Sequence, residues 1–362
     1  MTVDARHRLR AETLIPLRAP HAVMAGLLDH LGEHGEVSGA GDAWSVTFEI
    51  GTATAALRPE GIEFRVEARD DTSLSFLQWS VVEHVLEFAP GETPDVTWSG
   101  GIGAGAPLPY FREMEVVAAE HVTPHMRRVT LSGRDLSRFA HDGIHVRLLL
   151  PPRPGVQVVW PVMAADGRQA WPEGERPVSR VYTIRRIDVA AGEIDIDFVL
   201  HEGDGMPGAH FGSTAEPGMT VGMTGPGGGN LKVAASYLFF GDETALPAIS
   251  RLLEELPPAA SAKAFVEIKN DGERQDLTLR PGVELTWLSR RDLPAGTGTL
   301  LADTLSSLGP DAGRSDTYVW AGCEFSTARA IRDHLKRVVG LTKGRSLVTS
   351  YWRRGQAGEF DD

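Results

Sequence analysis

The sequence predicts three parts in order: a small α+β region, an antiparallel β-barrel or sandwich, and an α/β region built on a parallel sheet. Three observations carry this reading. Gly (40) and Pro (23) are abundant and cut the 362 residues into short segments, as turn-rich chains require. Between residues 113 and 226, six short strand candidates follow one another with turn signals between them, the pattern of an antiparallel barrel or sandwich. From Tyr237 onward, apolar strands, glycine turns and amphipathic helices alternate, which indicates a parallel sheet.

The first part begins with HAVMAGLLDHLGEH at 21–34, where Val23, Leu27, Leu28 and Leu31 recur at helical spacing. Strand candidates follow at 44–50, 52–57 and 61–68, each bounded by Gly, Pro or Asp. Residues 72–89 place Leu74, Leu77, Val81, Val82, Val85 and Leu86 on one helical stripe. A domain over 1–98 is expected, then a Gly/Pro-rich linker at 99–109. The barrel strands EMEVVAAEHV, MRRVTLSG, HVRLLL, SRVYTIRRIDV, EIDIDFVLH and MTVGMTGP define a second domain at 110–231. YLFFGDETALPAISRLLEEL, AKAFVEIK, VELTWLSR and TYVWAGCEFSTARAIRDHLKRVV define a third at 232–362.

Composition narrows the function. The chain lacks an apolar run of the ~18 residues a membrane span needs. Its first twenty residues hold four arginines and no apolar stretch of the secretory kind. With one cysteine, Cys323, there is neither an internal disulfide nor a thiolate cluster. A cytoplasmic protein without membrane insertion is expected. Net charge is −13, most of it (−9) in residues 1–99, whereas residues 326–354 carry +7 through Arg329, Arg332, Lys336, Arg337, Lys343, Arg345, Arg353 and Arg354 against Asp333. One basic stretch in an acidic chain suits a small anion or a solvated helix face, and no nucleic acid is expected, because a phosphate backbone asks for a broad basic surface. His21, His30, His34 and His84 are scattered, and no metal site is expected.

The segment Arg176-Pro-Val-Ser-Arg180-Val-Tyr182-Thr183-Ile-Arg185 is the most informative. Period two puts Arg180 and Tyr182 on one face of a strand and Thr183 on the other. A cation, an aromatic ring and a hydroxyl are what a flavin on a barrel needs, although an ordinary strand would read the same way. HEGDGMPGAHF (201–211) and GPGGG (225–229) are glycine-rich turns whose N–H groups suit phosphate oxygens; hairpin turns would look alike. Gly241-Asp-Glu-Thr-Ala-Leu-Pro247 sits at the carboxyl end of a parallel strand, where α/β sheets bind ligands, and Asp242 or Thr244 there also reads as a helix cap. Trp320-Ala-Gly-Cys-Glu324 occupies the same place in the next unit, with Cys323 read as structural. Tyr351-Trp352-Arg353-Arg354 ends the last strand, an aromatic pair beside two cations.

Taken in this order, RPVSRVYTIRR, EIDIDFVLHEGDGMPGAHF, GMTVGMTGPGGG, FFGDETALPAISRLLEELP, YVWAGCEF and SYWRRG resemble the siderophore-interacting protein family of ferric-siderophore reductases, over residues 110 to 356. The resemblance implies a ferredoxin reductase-like fold, an FAD-binding Greek-key barrel followed by a nucleotide-binding α/β domain. Residues 1–98 resemble an accessory domain of unknown function found with this family. Two departures stand out: GMPGAHFG lacks the usual Ser and Trp, and AGCEFST keeps only Gly322 and Glu324 of the usual turn.

The same resemblance implies that Arg180, Tyr182 and Thr183 contact the flavin, and that His201 with the Gly208-Ala209 turn lines its pyrophosphate. Asp242, Thr244 and Ala245 belong at the adenine side or the nucleotide entrance. Tyr351 and Trp352 close the reductant side with Arg353. Arg290, Arg353 and Arg354 are the expected cations for an anionic ferric siderophore. NADPH or NADH supplies electrons to FAD, the flavin carries the chemistry, and no protein group acts as catalyst. Three alternatives share these features: a ferredoxin-fed reductase, a non-catalytic siderophore-binding protein, and a flavoprotein recruited to biosynthetic redox chemistry.

Overall fold

The computed structural model describes residues 9–32, 35–141, 143–153, 155–200, 206–229, 231–309, 316–342 and 344–356. The chain forms two compact units, residues 1–111 with 157–176, and residues 112–156 with 177–362.

In the first unit, strand β1 (Leu9–Pro16), helix α1 (Pro20–Leu31), strands β2 (Glu36–Ala40), β3 (Ala43–Phe48), β4 (Gly51–Arg58) and β5 (Gly61–Ala68), and helix α2 (Asp71–Phe88) follow in order, and the two-residue β6 (Ser99–Gly100) completes a sheet ordered β2-β3-β4-β5-β1-β6. Alternation explains the strands. Ile62, Phe64, Val66 and Ala68 of β5 turn inward, opposite Ala11 and Ile15 of β1, and meet Leu74, Leu77, Val82 and Val85 of α2. Asp70 caps α2 by accepting the Ser73 N–H at 2.8 Å. β1 was not expected from the sequence, because two of its inward residues are Ala11 and Thr13; the Thr13 hydroxyl donates to Thr97 O at 2.9 Å.

The expected linker at 99–109 is packed into this unit. Leu108 is buried, Gly105 N–H donates to Met163 O, and Trp98 Nε1–H donates to Asp166 O. Gly and Pro there make tight turns over a core instead of a flexible tether. Residues 157–176, with the short strands β10 (Val162–Met163) and β11 (Gln169–Ala170), belong to the same unit.

The second unit opens with a closed barrel. Its strands are β7 (Phe111–Thr123), β8 (Met126–Ser132), β9 (Gly143–Leu150), β12 (Val178–Asp188), β13 (Glu193–Val199) and β14 (Thr220–Gly228), ordered β12-β13-β8-β7-β14-β9. β9 pairs with β12 and β14 and not with its neighbour in sequence, which makes the topology a Greek key. Met114, Val129, Leu148, Ile184, Ile196, Phe198 and Met223 fill its interior. Helix α3 (Pro207–Thr214) bridges β13 and β14.

A five-stranded parallel sheet follows, from β15 (Ser236–Gly241), β16 (Ser261–Ile268), β17 (Val283–Ser289), β18 (Thr317–Glu324) and β19 (Ser346–Trp352), with helices α4 (Leu246–Glu255), α5 (Leu300–Leu308) and α6 (Phe325–His334). The order β17-β16-β15-β18-β19 puts the switch point between the carboxyl ends of β15 and β18, where open α/β sheets receive ligands. β15 and β18 are buried on both faces, which is why they read as continuous apolar runs. Among the described residues no helix is long and apolar enough to cross a membrane.

Candidate functional site

β12 is held from two sides. It pairs with β9 from Val178↔Leu150 to Thr183↔His145, and α4 grips its other end. There Arg251 donates to Ile184 O at 3.0 Å, and Arg185 makes a bidentate pair with Glu254 at 2.6 and 3.0 Å. A strand clamped in this way presents its side chains on a rigid ledge.

On one face of that ledge lie Arg180 and Tyr182. The Tyr182 ring packs on Phe198 with centroids 4.4 Å apart, and burial raises its hydroxyl well above the ordinary tyrosine range. The hydroxyl reaches the first turn of α3. A methyl group placed on Gly208 would lie 1.9 Å from Tyr182 Oη, so this contact admits only glycine. Arg180 donates one N–H to Ser179 O, and Arg147 of β9 lies on the neighbouring strand, its guanidinium 3.5 Å from Ser179 Oγ. A guanidinium group, a phenol ring and a helix first turn thus share this side of the strand, whereas Arg147 lies opposite Val181 and faces the other way. That donor set fits a flavin nucleotide, whose diphosphate takes cations and N–H groups and whose ring takes an aromatic neighbour.

Thr183 points the other way, as period two requires, and meets different partners. Its side chain is hydrogen-bonded to Tyr351, whose hydroxyl lies 2.6 Å from His145 Nε2. Burial, with the nearby Arg251 charge, lowers the His145 pKa to about 4, so the imidazole is neutral at pH 7 and shares a hydrogen bond with the Tyr351 hydroxyl. Burial also raises the Tyr351 hydroxyl. His145 was not singled out in the sequence. Its surroundings explain the glycine-rich end of β14: Gly228 adopts φ +87, and a methyl there would lie 2.3 Å from His145 Nδ1.

At the switch point, Asp242 is a joint. Its Oδ1 accepts from Thr244 N at 2.9 Å and Thr244 Oγ1 at 2.5 Å, and its Oδ2 from Trp352 Nε1 at 2.8 Å and Glu324 N at 3.1 Å. Burial, then the adjacent Glu243 charge, raises its pKa. The ends of β15, β18 and β19 are pinned by one carboxylate. Glu324 in turn caps α6 through Ser326 and Thr327 N–H and accepts from Arg354 N.

Several expected contacts are corrected here. Ala245 is fully enclosed in the core and offers no side chain to a ligand. Asp242 has both oxygens engaged by protein donors and positions Trp352. Arg290, expected as a substrate cation, is only 6% exposed and bonds Glu243 at 2.7 and 2.8 Å and Glu267 at 3.4 Å; its charge is spent inside. The Gly208-Ala209 segment is not a turn but the start of α3, and Ala209 is buried. Residues 225–228 are the bulged end of β14 and not a separate turn. His201 lies outside the described residues. In the basic stretch, Arg332 and Arg345 bond the carbonyls of Val348 and Thr317. Arg353, by contrast, is exposed and lies 4.5 Å over the Phe325 ring. Cys323 is buried and its thiol is pushed up, first by burial and then by the surrounding carboxylates, which suits a structural residue.

Comparison with known proteins agrees with this layout. Residues 115–230 match the siderophore-interacting FAD-binding domain, residues 234–355 the siderophore-interacting protein model, and residues 12–99 an uncharacterized protein family conserved in bacteria. The chain is 30% identical over 254 residues to ferric vibriobactin reductase ViuB of Vibrio cholerae, covering 69% of this chain and 92% of that one. It is 33% identical over 187 residues to an NADPH-dependent ferric-chelate reductase of Escherichia coli, covering 49% of this chain and 71% of that one. A siderophore utilization protein from T. fusca superimposes with a TM-score of 0.59 at 36% identity, covering 69% of this chain and 95% of that one. The barrel and parallel sheet together have the ferredoxin reductase-like fold.

Proposed function

This chain belongs to the siderophore-interacting protein family, and from that premise we propose that it is a flavin-dependent reductase of ferric siderophores, drawing electrons from NADPH. The observation that carries the reading is the close contact of Tyr182 with Gly208 on a ledge that also bears Arg180, within a match to an FAD-binding domain. When bound, FAD takes an electron pair from a hydride donor and passes single electrons to Fe(III). The chain's own residues bind and orient. Arg180 and the first N–H groups of α3 hold the diphosphate, and Tyr182 flanks the ring. Tyr351, fixed between Thr183 and His145, positions the end of β19.

The substrate is a hard-oxygen chelate of Fe(III), which holds Fe(II) weakly, so reduction alone releases the ion and no iron ligand from the protein is needed. Arg353 above Phe325 is the exposed cation best placed for an anionic chelate or for the phosphates of NADPH. NADPH is favoured over NADH by the donor named for the Escherichia coli relative. The test is a visible spectrum of the purified protein under anaerobic conditions, before and after NADPH. Flavin bands that bleach, and return when a ferric siderophore is added, are expected. Flavin bleached by NADH alone would reassign the donor, and a protein that takes up no FAD would overturn the reading. The Arg180→Ala/Tyr182→Ala double variant is expected to purify folded and colourless.

A further inference from the structure

The first unit brings together three side chains that look unrelated in the sequence. His30 lies in the last turn of α1, and His84 and Glu87 lie three apart near the end of α2, a spacing that puts them on one helical face. The rings of His30 and His84 are 5.1 Å apart between centroids, and one potential ligand atom from each of the three residues lies within 4.8 Å of the others. We propose that His30, His84 and Glu87 form a binding site for a divalent first-row transition-metal ion, of the zinc or ferrous kind.

The hydrogen bonding of His84 supports this independently. Its Nδ1 lies 2.6 Å from Ser80 O. A carbonyl oxygen only accepts, so Nδ1 carries the proton, which leaves Nε2 as the nitrogen available to a metal ion. A ligating histidine is commonly oriented in this manner, by a backbone carbonyl on its other nitrogen. Two imidazoles and a carboxylate suit Zn²⁺, Fe²⁺ or Co²⁺ and are poorly matched to Mg²⁺ or Ca²⁺, which favour all-oxygen sets. With metal–ligand bonds of about 2.0–2.2 Å, tetrahedral donors stand roughly 3.3 Å apart. The three ligand atoms, now within 4.8 Å of one another, draw closer on binding, and exposed Glu87 contributes by a rotamer change. Three protein ligands leave a fourth position open. His84 also lines an apolar cavity with Leu27, Leu28, Leu31, Trp44 and Phe48, so an exogenous ligand at that position has an apolar neighbour. The net charge of −9 over residues 1–99 favours cation capture.

The inference is independent of the flavin site, and so is its test. Tag-free full-length protein, stripped with chelator, is titrated with Co²⁺ and followed by visible d–d absorption, with Zn²⁺ as competitor. One equivalent per chain, displaced by Zn²⁺, is expected. His84→Ala and His30→Ala should each weaken Co²⁺ binding by at least about a hundredfold. Glu87→Gln, at an exposed position that cannot compromise folding, should weaken it about tenfold. Zn²⁺ should raise the melting temperature of the parent and not of His84→Ala. Absence of a Co²⁺ spectrum in the parent, or an unchanged spectrum in Glu87→Gln together with His30→Ala, would overturn the site.

Discussion

The hydroxyl of Tyr351 lies 2.6 Å from Nε2 of His145, which ties the last strand of the parallel sheet to the third strand of the barrel. Thr183 completes the contact from β12. Removing the hydroxyl takes this partner from the buried Thr183 hydroxyl and the half-buried His145 imidazole, which costs about 1–3 kcal/mol. Tyr351→Phe is accordingly expected to shift the urea midpoint down by that amount while retaining the barrel's secondary structure by circular dichroism.

His145 also gives stability a pH dependence with a definite sign. Its pKa falls from 6.5 to about 4 on folding, so between those values the unfolded chain binds a proton that the folded chain refuses. Its contribution is complete above about pH 6.5 and is lost as pH falls toward 4. Glu267 works oppositely: burial raises it from 4.5 to about 7 against the pull of Arg290, so its burial weighs on stability as pH rises from 4.5 to 7. Single variants separate the two. Relative to the parent, His145→Asn should gain stability as pH is lowered from 6.5 to 4, by on the order of 3 kcal/mol across the window. Glu267→Gln should gain as pH is raised from 4.5 to 7. Urea titrations at four pH values would show parallel curves if neither group titrates this way.

Arg290 and Glu243 are mutually buried, and breaking such a pair strands a charge. Arg290→Met is expected to cost about 3–5 kcal/mol of unfolding free energy. Glu243→Gln/Glu267→Gln/Arg290→Met, with all three charges removed, should recover much of that loss. A variant of normal stability with a raised KM would return Arg290 to the substrate side.

Gly208 and Tyr182 make a paired test of the flavin ledge. A Cβ on Gly208 meets Tyr182 Oη at 1.9 Å but the next ring atom only at 3.1 Å. Gly208→Ala should displace the ring and lower FAD content per chain, measured by absorbance, at least about tenfold, which corresponds to about 1.4 kcal/mol. Removing the clashing oxygen as well, in Gly208→Ala/Tyr182→Phe, should restore most of the FAD. Failure of that rescue would mean that the glycine serves the ligand directly and not the tyrosine.

The pattern of what could be read in the sequence follows from the range of the interactions. The barrel strands were legible because inward residues such as Ile194, Ile196 and Phe198 repeat every second position, and β15 because an interior strand is apolar throughout. β1 was hidden by Ala11 and Thr13, and α3 by a Pro-Gly start that reads as a turn. The site pairs were illegible for another reason. His145 and Tyr351 are 206 residues apart, and Arg290 and Glu243 are 47 apart. No local pattern records that a buried carboxylate waits for a given arginine, so Arg290 looked like a free cation. His30 and His84 became neighbours only when α1 packed against α2.

Arg353 is where charge and stability should separate. It is exposed, and among the described residues it has no carboxylate partner, its guanidinium resting 4.5 Å over Phe325. An exposed site of this kind changes folding by no more than about 0.5 kcal/mol on substitution, so Arg353→Glu should melt with the parent. Reversing a charge beside an anionic ligand should nevertheless raise KM about tenfold, for which roughly 1.4 kcal/mol of lost attraction suffices. Measuring KM for NADPH, NADH and a ferric siderophore in parallel assigns the cation. A rise for NADPH alone places it at the nucleotide phosphate, and a rise for the chelate alone places it at the substrate. The effect should shrink between 50 and 300 mM salt, because an exposed charge is screened over a Debye length of about 10 Å at 0.1 M. KM values unchanged for all three would reduce the C-terminal arginines to a solvated face.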